Sequence, residues 1–216
     1  MKKIFDRTTI LSTIVVLLPI VPALFFYQRL PEQVAIHFNA QGVADRWASR
    51  PFAVFGLPLL LAGINIVTQF ILLTDPKRDT QSKIFRLARW TIAPISILAN
   101  AMTLLIALGI AVQIERIIPL CVAILFLIIG NYLPKAKQNY TIGIKIPWTL
   151  ANEENWNKTH RLAGWVWSGG SVILIIALLV NLPAMTLFLT VTAIMVLIPI
   201  IYSYLLYRKE ETNKDA

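Results

Sequence analysis

The side chains of this chain that could perform acid–base or metal chemistry are two histidines and a small number of carboxylates. His37 lies shortly before Asp45, and His160 follows Glu153 by about two helical turns. A zinc site needs three or four ligands, and neither pair is joined by a further ligand or nucleophile. We therefore predict no catalytic residue, no metal site and no cofactor. His37 is predicted to bond to the backbone of a turn, and Asp45 to be a turn residue or a surface ion-pair partner.

The elements that must position these residues are strongly apolar. Of 216 residues, 57% are hydrophobic and 14% are charged, whereas a soluble domain is ~45–50% apolar and ~25% charged. The apolar residues form six segments of about 20 residues, each long enough to cross a ~30 Å hydrocarbon layer as a helix. The chain is therefore predicted to be an all-α integral membrane protein with six transmembrane helices. The segments are residues 8–27, 52–74, 90–112, 117–133, 163–182 and 184–207.

The basic residues are distributed unevenly between the two sides of these segments. With a cytoplasmic N-terminus, 16 of the 20 Lys and Arg residues lie in inner segments and only 4 in outer segments. Because cytoplasmic segments carry the excess of basic residues, we predict a multi-pass plasma-membrane protein with both termini in the cytoplasm. The net charge of +9 is attributed to this topology and not to direct nucleic-acid binding. The single cysteine, Cys121, lies within the fourth segment and excludes a disulfide framework in one chain.

The interiors of the predicted spans contain no Asp, Glu, Lys, Arg or His. Ion-coupled transport usually needs such groups inside the membrane, so their absence argues against a pump. The polar residues that do occur there, Asn65, Gln69 and Asn100, are predicted to form hydrogen bonds between helices. Pro19 and Pro22 in the first span are predicted to produce local kinks.

The outer connection between the first two spans, about residues 28–51, is long and has an organised sequence. Apolar residues alternate with other residues over positions 33–38, which is a short strand pattern, and a turn follows at residues 40–42. Trp47 leads back toward the membrane interface. We predict a small folded cap here, with a short hairpin.

The inner connection between the fourth and fifth spans, about residues 134–162, is also unusual, and we call it the signature loop. Residues 139–149 are rich in β-branched side chains and are predicted to be extended, whereas Asn152 is predicted to cap a helix that continues into the fifth span. Trp156, His160, Ala163 and Trp167 then fall on one face of that helix. The signature loop carries a charge of +3, which suits anionic lipid headgroups or an acidic partner.

These two connections resemble the motifs of a known family. Residues 30–39, Gly42 and residues 45–47 resemble a small bacterial membrane domain of unknown function, with its LP-x-x-(I/V)-x-x-H-(F/W)-(N/D) start and G-x-x-D-x-(W/Y) return. The signature loop, with Gly130 before it and Gly164 after it, resembles the signature of SdpI-type immunity proteins. The signature residues are Asn139, Gly143, Lys145, Pro147, Trp148, Thr149, Trp156, His160 and Arg161. Lys145 is a departure, because the family signature usually has Arg there, whose planar fork a lysine lacks.

The resemblance implies a bacterial immunity protein, not an enzyme, that protects the membrane against a secreted toxic peptide of the sporulation-delaying kind. It also implies a signal transducer that holds a cytoplasmic ArsR-like transcriptional repressor at the membrane. Membrane lipids and the toxic peptide are the other expected partners, and the expected toxin-binding residues are His37, Asn39, Asp45 and Trp47. Two domains are expected: residues 1–74, a two-helix unit with the outer cap, and residues 75–216, an SdpI-like four-helix region with the signature loop.

Two other classes of function stay open on the residues alone. A permease or exporter of peptides or small neutral molecules could use Asn65, Gln69 and Asn100. A membrane enzyme acting at the outer face would have to use His37 and Asp45.

Overall fold

The computed structural model describes residues 5–180, 182 and 184–214. Lys2 and Lys3, which the charge analysis assigns to the inner side, lie outside the described residues. The α-helices are α1 (Arg7–Leu17), α2 (Ile20–Phe25), α3 (Leu57–Thr74), α4 (Lys83–Trp90), α5 (Ile92–Ala107), α6 (Ile114–Tyr132), α7 (Pro147–Ala151), α8 (Glu153–Leu179) and α9 (Ala184–Lys214). The strands are β1 (Gln33–Phe38) and β2 (Ala44–Ser49), and a π-helical turn, Phe52–Gly56, leads into α3.

Within the described residues, six helical stretches are long and apolar enough to cross a membrane. They are Arg7–Phe25, Phe52–Thr74, Lys83–Ala107, Ile114–Lys135, Glu153–Leu179 and Met185–Asn213. The prediction of an all-α protein with six transmembrane helices is therefore confirmed. The third stretch begins earlier than predicted, at Lys83, because the amphipathic helix α4 precedes its apolar residues. The fifth stretch begins at Glu153, directly after the helix cap predicted at Asn152.

The kink predicted at Pro19 is present. The first helix ends at Leu17 and a second one starts at Ile20, so the proline lies in the break between α1 and α2. A proline has no amide hydrogen and its ring collides with the preceding turn, which explains why the helix stops here. Asp6 caps the other end of α1, where its carboxylate accepts a 2.9 Å hydrogen bond from the Thr9 amide.

The chain divides into two compact units. The first contains residues 1–74 and 86–115, and the second contains residues 75–85 and 116–216. This division by packing differs from the two sequence domains 1–74 and 75–216, which stay a prediction.

Buried polar groups join the helices of the first unit. Asn65 of α3 donates 3.0 Å hydrogen bonds to the hydroxyls of Ser12 and Thr13 of α1. Gln69 donates to the backbone oxygen of Arg89, at 2.6 Å. These two amides join helices as predicted, whereas Asn100 bonds to Ser96 within its own helix, so the prediction was wrong for Asn100.

An ion pair at the start of α1 belongs to the same hydrogen-bond network. The Arg89 guanidinium donates to both carboxylate oxygens of Asp6, at 2.8 and 2.5 Å, and its Nε donates to the Gln69 side-chain oxygen at 2.6 Å. Hydrogen bonds from Arg89 lower the pKa of the Asp6 carboxyl from 3.8 to about 2. Because the folded-state pKa is depressed, the stabilisation from this pair is present above about pH 4 and is lost as the pH falls toward 2. Arg89 is one of the 16 basic residues assigned to the inner segments, and it is buried at the end of α4.

The second unit is held together by close helix contacts. Ala123, Leu174 and Met195 form its apolar core, one residue from each of α6, α8 and α9. The Trp167 indole donates to the Met195 backbone oxygen at 2.9 Å. Asn155 donates to the Ser203 backbone oxygen at 3.0 Å and so ties the start of α8 to α9.

Candidate functional site

The connection between the first two spans folds as an antiparallel β-hairpin in the first unit. β1 pairs with β2 in a register that sets Gln33 opposite Ser49 and Phe38 opposite Ala44, with irregularities near His37. Val34 is 2% exposed, while on the opposite face Gln33 and His37 are exposed and Ala35 is half-buried. The alternation read from the sequence therefore follows the actual strand.

Asn39 organises the tip of this hairpin. Its side-chain oxygen accepts hydrogen bonds from the amides of Gln41 (3.0 Å) and Val43 (2.9 Å). Gly42 follows with a φ of 75°, a conformation that residues with a Cβ rarely adopt. A Cβ at Gly42 would also lie 2.5 Å from a carboxylate oxygen of Glu115. Of the four predicted toxin-binding residues, Asn39 thus has a clear structural role.

His37 and Asp45 face each other across the hairpin. The His37 Nδ1 and the Asp45 Oδ1 are 2.5 Å apart, and the side chains are 56% and 41% exposed. The structure thus pairs His37 with a carboxylate, and the prediction that it bonds to turn backbone was wrong. Local irregularity of the strand register near His37 turns these two side chains toward each other.

Apolar side chains are also exposed on the hairpin. Trp47 is 56% exposed and Val43 is 60% exposed. They accompany the His37–Asp45 pair on a short two-stranded ribbon, so the hairpin combines apolar and ionisable contact groups on an accessible surface.

Asn139 shapes the first part of the signature loop, in the second unit. Its side-chain oxygen accepts from the amides of Thr141 (2.9 Å) and Ile142 (2.6 Å), and its amide group donates to the backbone oxygens of Lys137 and Ile142. The backbone groups that a strand would use are thus bound by one side chain. Residues 139–146 are irregular and α7 starts at Pro147, so the prediction that residues 139–149 are extended was wrong.

Asp75 supports the same part of the loop from the end of α3. This carboxylate is 3% exposed and accepts from the Tyr140 amide (2.9 Å) and the Thr141 hydroxyl (2.8 Å). Nearby, the Lys137 ammonium lies 3.2 Å from Asp79, and its hydrogen bond holds the pKa of that carboxyl below its usual value. Sequence reasoning missed Asp75, although its place at the end of an apolar span, before Pro76, was a signal for a turn.

Gly143, Trp156 and His160 form the centre of the loop. The His160 Nε2 accepts a 2.9 Å hydrogen bond from the Ile144 amide, so the ring proton is on Nδ1. Nδ1 donates to the Trp156 backbone oxygen at 2.8 Å. The His160 and Trp156 rings stack with centroids 4.0 Å apart. Gly143 has a φ of 119°, and a Cβ there would collide with the His160 Nε2. The helical face predicted from the Trp156 and His160 spacing therefore exists, and it packs against the loop.

Thr149 and Trp148 position α7. Thr149 is fully buried, and its hydroxyl accepts from the Ile146 amide (3.1 Å) and donates to the Ile144 backbone oxygen (2.8 Å). The Trp148 ring lies 5.5 Å from that of Tyr204 and 6.0 Å from that of Tyr207, so α7 rests on α9. Asn152 then caps α8 as predicted, accepting from the amides of Glu154 and Asn155.

The remaining signature residues are accessible. Pro147, Lys145 and Arg161 are exposed, and the Lys145 ammonium donates to the Thr141 backbone oxygen at 3.0 Å. The buried signature residues therefore build the loop, and the exposed ones give it a basic surface. Among the described residues, no group of three or more His, Cys, Asp or Glu side chains could hold a metal ion.

Comparisons with known proteins match both of these segments. Residues 135–203 match the SdpI/YfhL protein family, and residues 14–62 match a domain of unknown function, DUF1648. The chain is also 32% identical over 160 residues to the Immunity protein SdpI of Bacillus subtilis (strain 168), which covers 74% of this chain and 76% of that relative. The chain belongs to the SdpI family. No solved structure matches it significantly.

Membership of the SdpI family confirms the resemblance predicted from the two motifs. The hairpin lies within the residues that match DUF1648, and α7 and α8 lie within those that match SdpI/YfhL. With its six apolar helices, this SdpI family member is a multi-pass membrane protein.

Proposed function

We propose that this chain is an immunity protein that protects a bacterial membrane against a secreted toxic peptide of the sporulation-delaying kind, without catalysing a reaction. The observation that carries the proposal is the 32% identity, over three quarters of both chains, to a relative named Immunity protein SdpI. The exposed His37–Asp45 pair also gives the hairpin polar groups that can contact a peptide.

In this proposal the hairpin receives the peptide, and it faces the outside because both termini are cytoplasmic. A membrane-active peptide is amphipathic and needs apolar contacts beside polar ones. Trp47 and Val43 supply exposed apolar area, while His37 and Asp45 supply polar groups. Exposed aromatic residues are the side chains that most often dominate a binding free energy.

The signature loop is proposed to act on the cytoplasmic side, where it binds a transcriptional repressor of the ArsR-like kind when toxin is present. Lys145 and Arg161 supply a basic surface for an acidic partner, and α7 connects that surface to α9 through Trp148. Transmission requires that the peptide binds one arrangement of the helices more tightly than another. If cell fractionation finds the repressor in the soluble fraction in the presence of the peptide, the repressor-binding role is excluded. That result would leave the protective role untouched.

Survival of a peptide-sensitive strain tests the immunity role. Cells that express the chain should survive peptide concentrations that kill cells with an empty vector. Replacing both Val43 and Trp47 by serine should raise the peptide sensitivity about thirtyfold at unchanged membrane abundance, because two hot-spot truncations at about 1 kcal/mol each cost about 2 kcal/mol together. Leu182→Ser is the matched control, since it removes a 50% exposed apolar side chain outside the hairpin.

Two results would contradict the proposal. Cells that carry the wild-type chain in their membrane and die like vector cells would exclude immunity. Equal sensitivity of the hairpin variant and the Leu182→Ser control would exclude the hairpin as the receiving surface.

A further inference from the structure

A cleft of about 630 Å³ lies between α6 and α8 in the second unit, and of its lining residues the functions proposed above use only Arg161. Its walls include Leu127 and Ile128 of α6, and Arg161 and Trp165 of α8. This volume falls in the range of sites that hold small molecules.

The cleft exists because glycines let the two helices cross closely. A Cβ at Gly130 would lie 2.8 Å from the Ser168 amide nitrogen, and a Cβ at Gly164 would collide with the Pro134 ring. Such close crossings through small residues are typical of helices packed in membranes. The cleft opens beside this crossing and is lined by side chains of both helices.

The polarity of the cleft changes along its length. At one end, where α6 finishes and α8 has recently begun, it is lined by Arg161, Asn131 and Tyr132, with the Lys135 ammonium 5.0 Å above the Tyr132 ring. At the other end it is lined by Leu127 and Ile128. A phospholipid has the same order of groups, with an anionic phosphate at one end and acyl chains at the other.

Two exposed side chains indicate what lies beside the cleft. Trp165 is 76% exposed although it belongs to a membrane-spanning stretch, one turn deeper than Arg161. Tryptophan and arginine at this depth favour the lipid headgroup level. Within the part of the chain that the structure describes, the Arg161 guanidinium has no hydrogen bond or ion pair, so its charge is available to a ligand.

We propose that this cleft binds one anionic phospholipid. Arg161 contacts the phosphate, with Lys135 close enough to add a second positive charge, and an acyl chain follows Leu127 and Ile128 beside the exposed face of Trp165. Basic recesses between transmembrane helices are known to take anionic headgroups in this way. The site is independent of the immunity role, so either can fail without the other.

Native mass spectrometry of the purified full-length chain tests this site. The protein in detergent micelles is titrated with phosphatidylglycerol or with phosphatidylcholine of the same acyl chains. We expect the first phosphatidylglycerol molecule to bind more tightly than any further one, and no phosphatidylcholine molecule to bind as tightly. Arg161→Gln should weaken this binding about fivefold, because one basic residue near an anionic lipid surface contributes about 1 kcal/mol. Ile128→Trp should fill the apolar end and block the same lipid.

Lys158→Gln is the matched control, since it removes one positive charge from the same helix. The Lys158 ammonium pairs with Glu154 at 2.6 Å and does not line the cleft. The control should bind phosphatidylglycerol like the wild type. Equal binding of the two lipids, equal losses in Arg161→Gln and Lys158→Gln, or undiminished binding in Ile128→Trp would each overturn the proposal. Thermal unfolding of every variant verifies that it is folded.

Discussion

Gly143→Ala is expected to destabilise the protein at the centre of the signature loop. The backbone of Gly143 has a φ of 119°, which costs a residue with a Cβ about 1–3 kcal/mol. The added methyl group would also collide with the His160 Nε2 and lie 3.1 Å from two carbons of the Trp156 ring. Because His160 then loses the Ile144 amide, we expect a total loss of roughly 2–4 kcal/mol. Thermal unfolding in detergent, followed by tryptophan fluorescence, measures it.

Gly169→Ala controls for the change of a glycine in the same region. A Cβ at Gly169 meets no atom within 4 Å, and the residue lies in α8, so the variant should unfold at the wild-type temperature or slightly above it. Combining Gly143→Ala with His160→Ala should cost less than the sum of the two single changes, because the collision is shared. Wild-type stability of Gly143→Ala would show that the loop does not depend on this contact.

Arg89→Met is the second change with a large expected effect. It leaves the Asp6 carboxylate without its guanidinium and the buried Gln69 oxygen without the Nε donor. Removing one partner of a buried pair costs about 3–5 kcal/mol, and since Asp6 is 36% exposed we expect about 2–3 kcal/mol here. The same unfolding measurement applies, and the midpoint should fall clearly below that of the wild type.

Arg86→Met is the matched control for this change. Arg86 lies three residues earlier in α4 and is exposed, so losing its charge should leave the unfolding midpoint nearly unchanged. Acid provides an independent signature of the pair. The wild type should lose stability between about pH 4 and pH 2, and Arg89→Met should lose less over that interval. Similar midpoints for Arg89→Met and Arg86→Met would contradict the account of this network.

Local patterns were sufficient to predict the spans, the hairpin and the α8 cap. The six spans follow from runs of apolar residues, the strand β1 from its alternation, and the helix start from Asn152 before two glutamates. Each of these features is decided by neighbours in the sequence. The packing of Trp156 and His160 on one helical face follows from the helical repeat for the same reason.

Contacts between distant residues could not be predicted in this way. Asp6 and Arg89 are 83 residues apart, and the packing of α1 against α3 and α5 brings them together. Asp75 accepts a hydrogen bond from the backbone amide of Tyr140, which lies 65 residues further along the chain. The bond from the Ile144 amide to His160 depends on how the irregular part of the signature loop folds back, and that fold is determined by Asn139 and Gly143 together.

The account of immunity depends on the hairpin facing the side from which a secreted peptide arrives. Labelling of single cysteines in intact cells by a membrane-impermeant maleimide tests this most directly, with Cys121→Ser as the background. Val43→Cys at the exposed hairpin and Lys145→Cys at the exposed part of the signature loop are the two reporters. The account predicts labelling of Val43→Cys in intact cells and of Lys145→Cys only after permeabilisation. Labelling of both reporters from the same side, or in the reverse order, would contradict it.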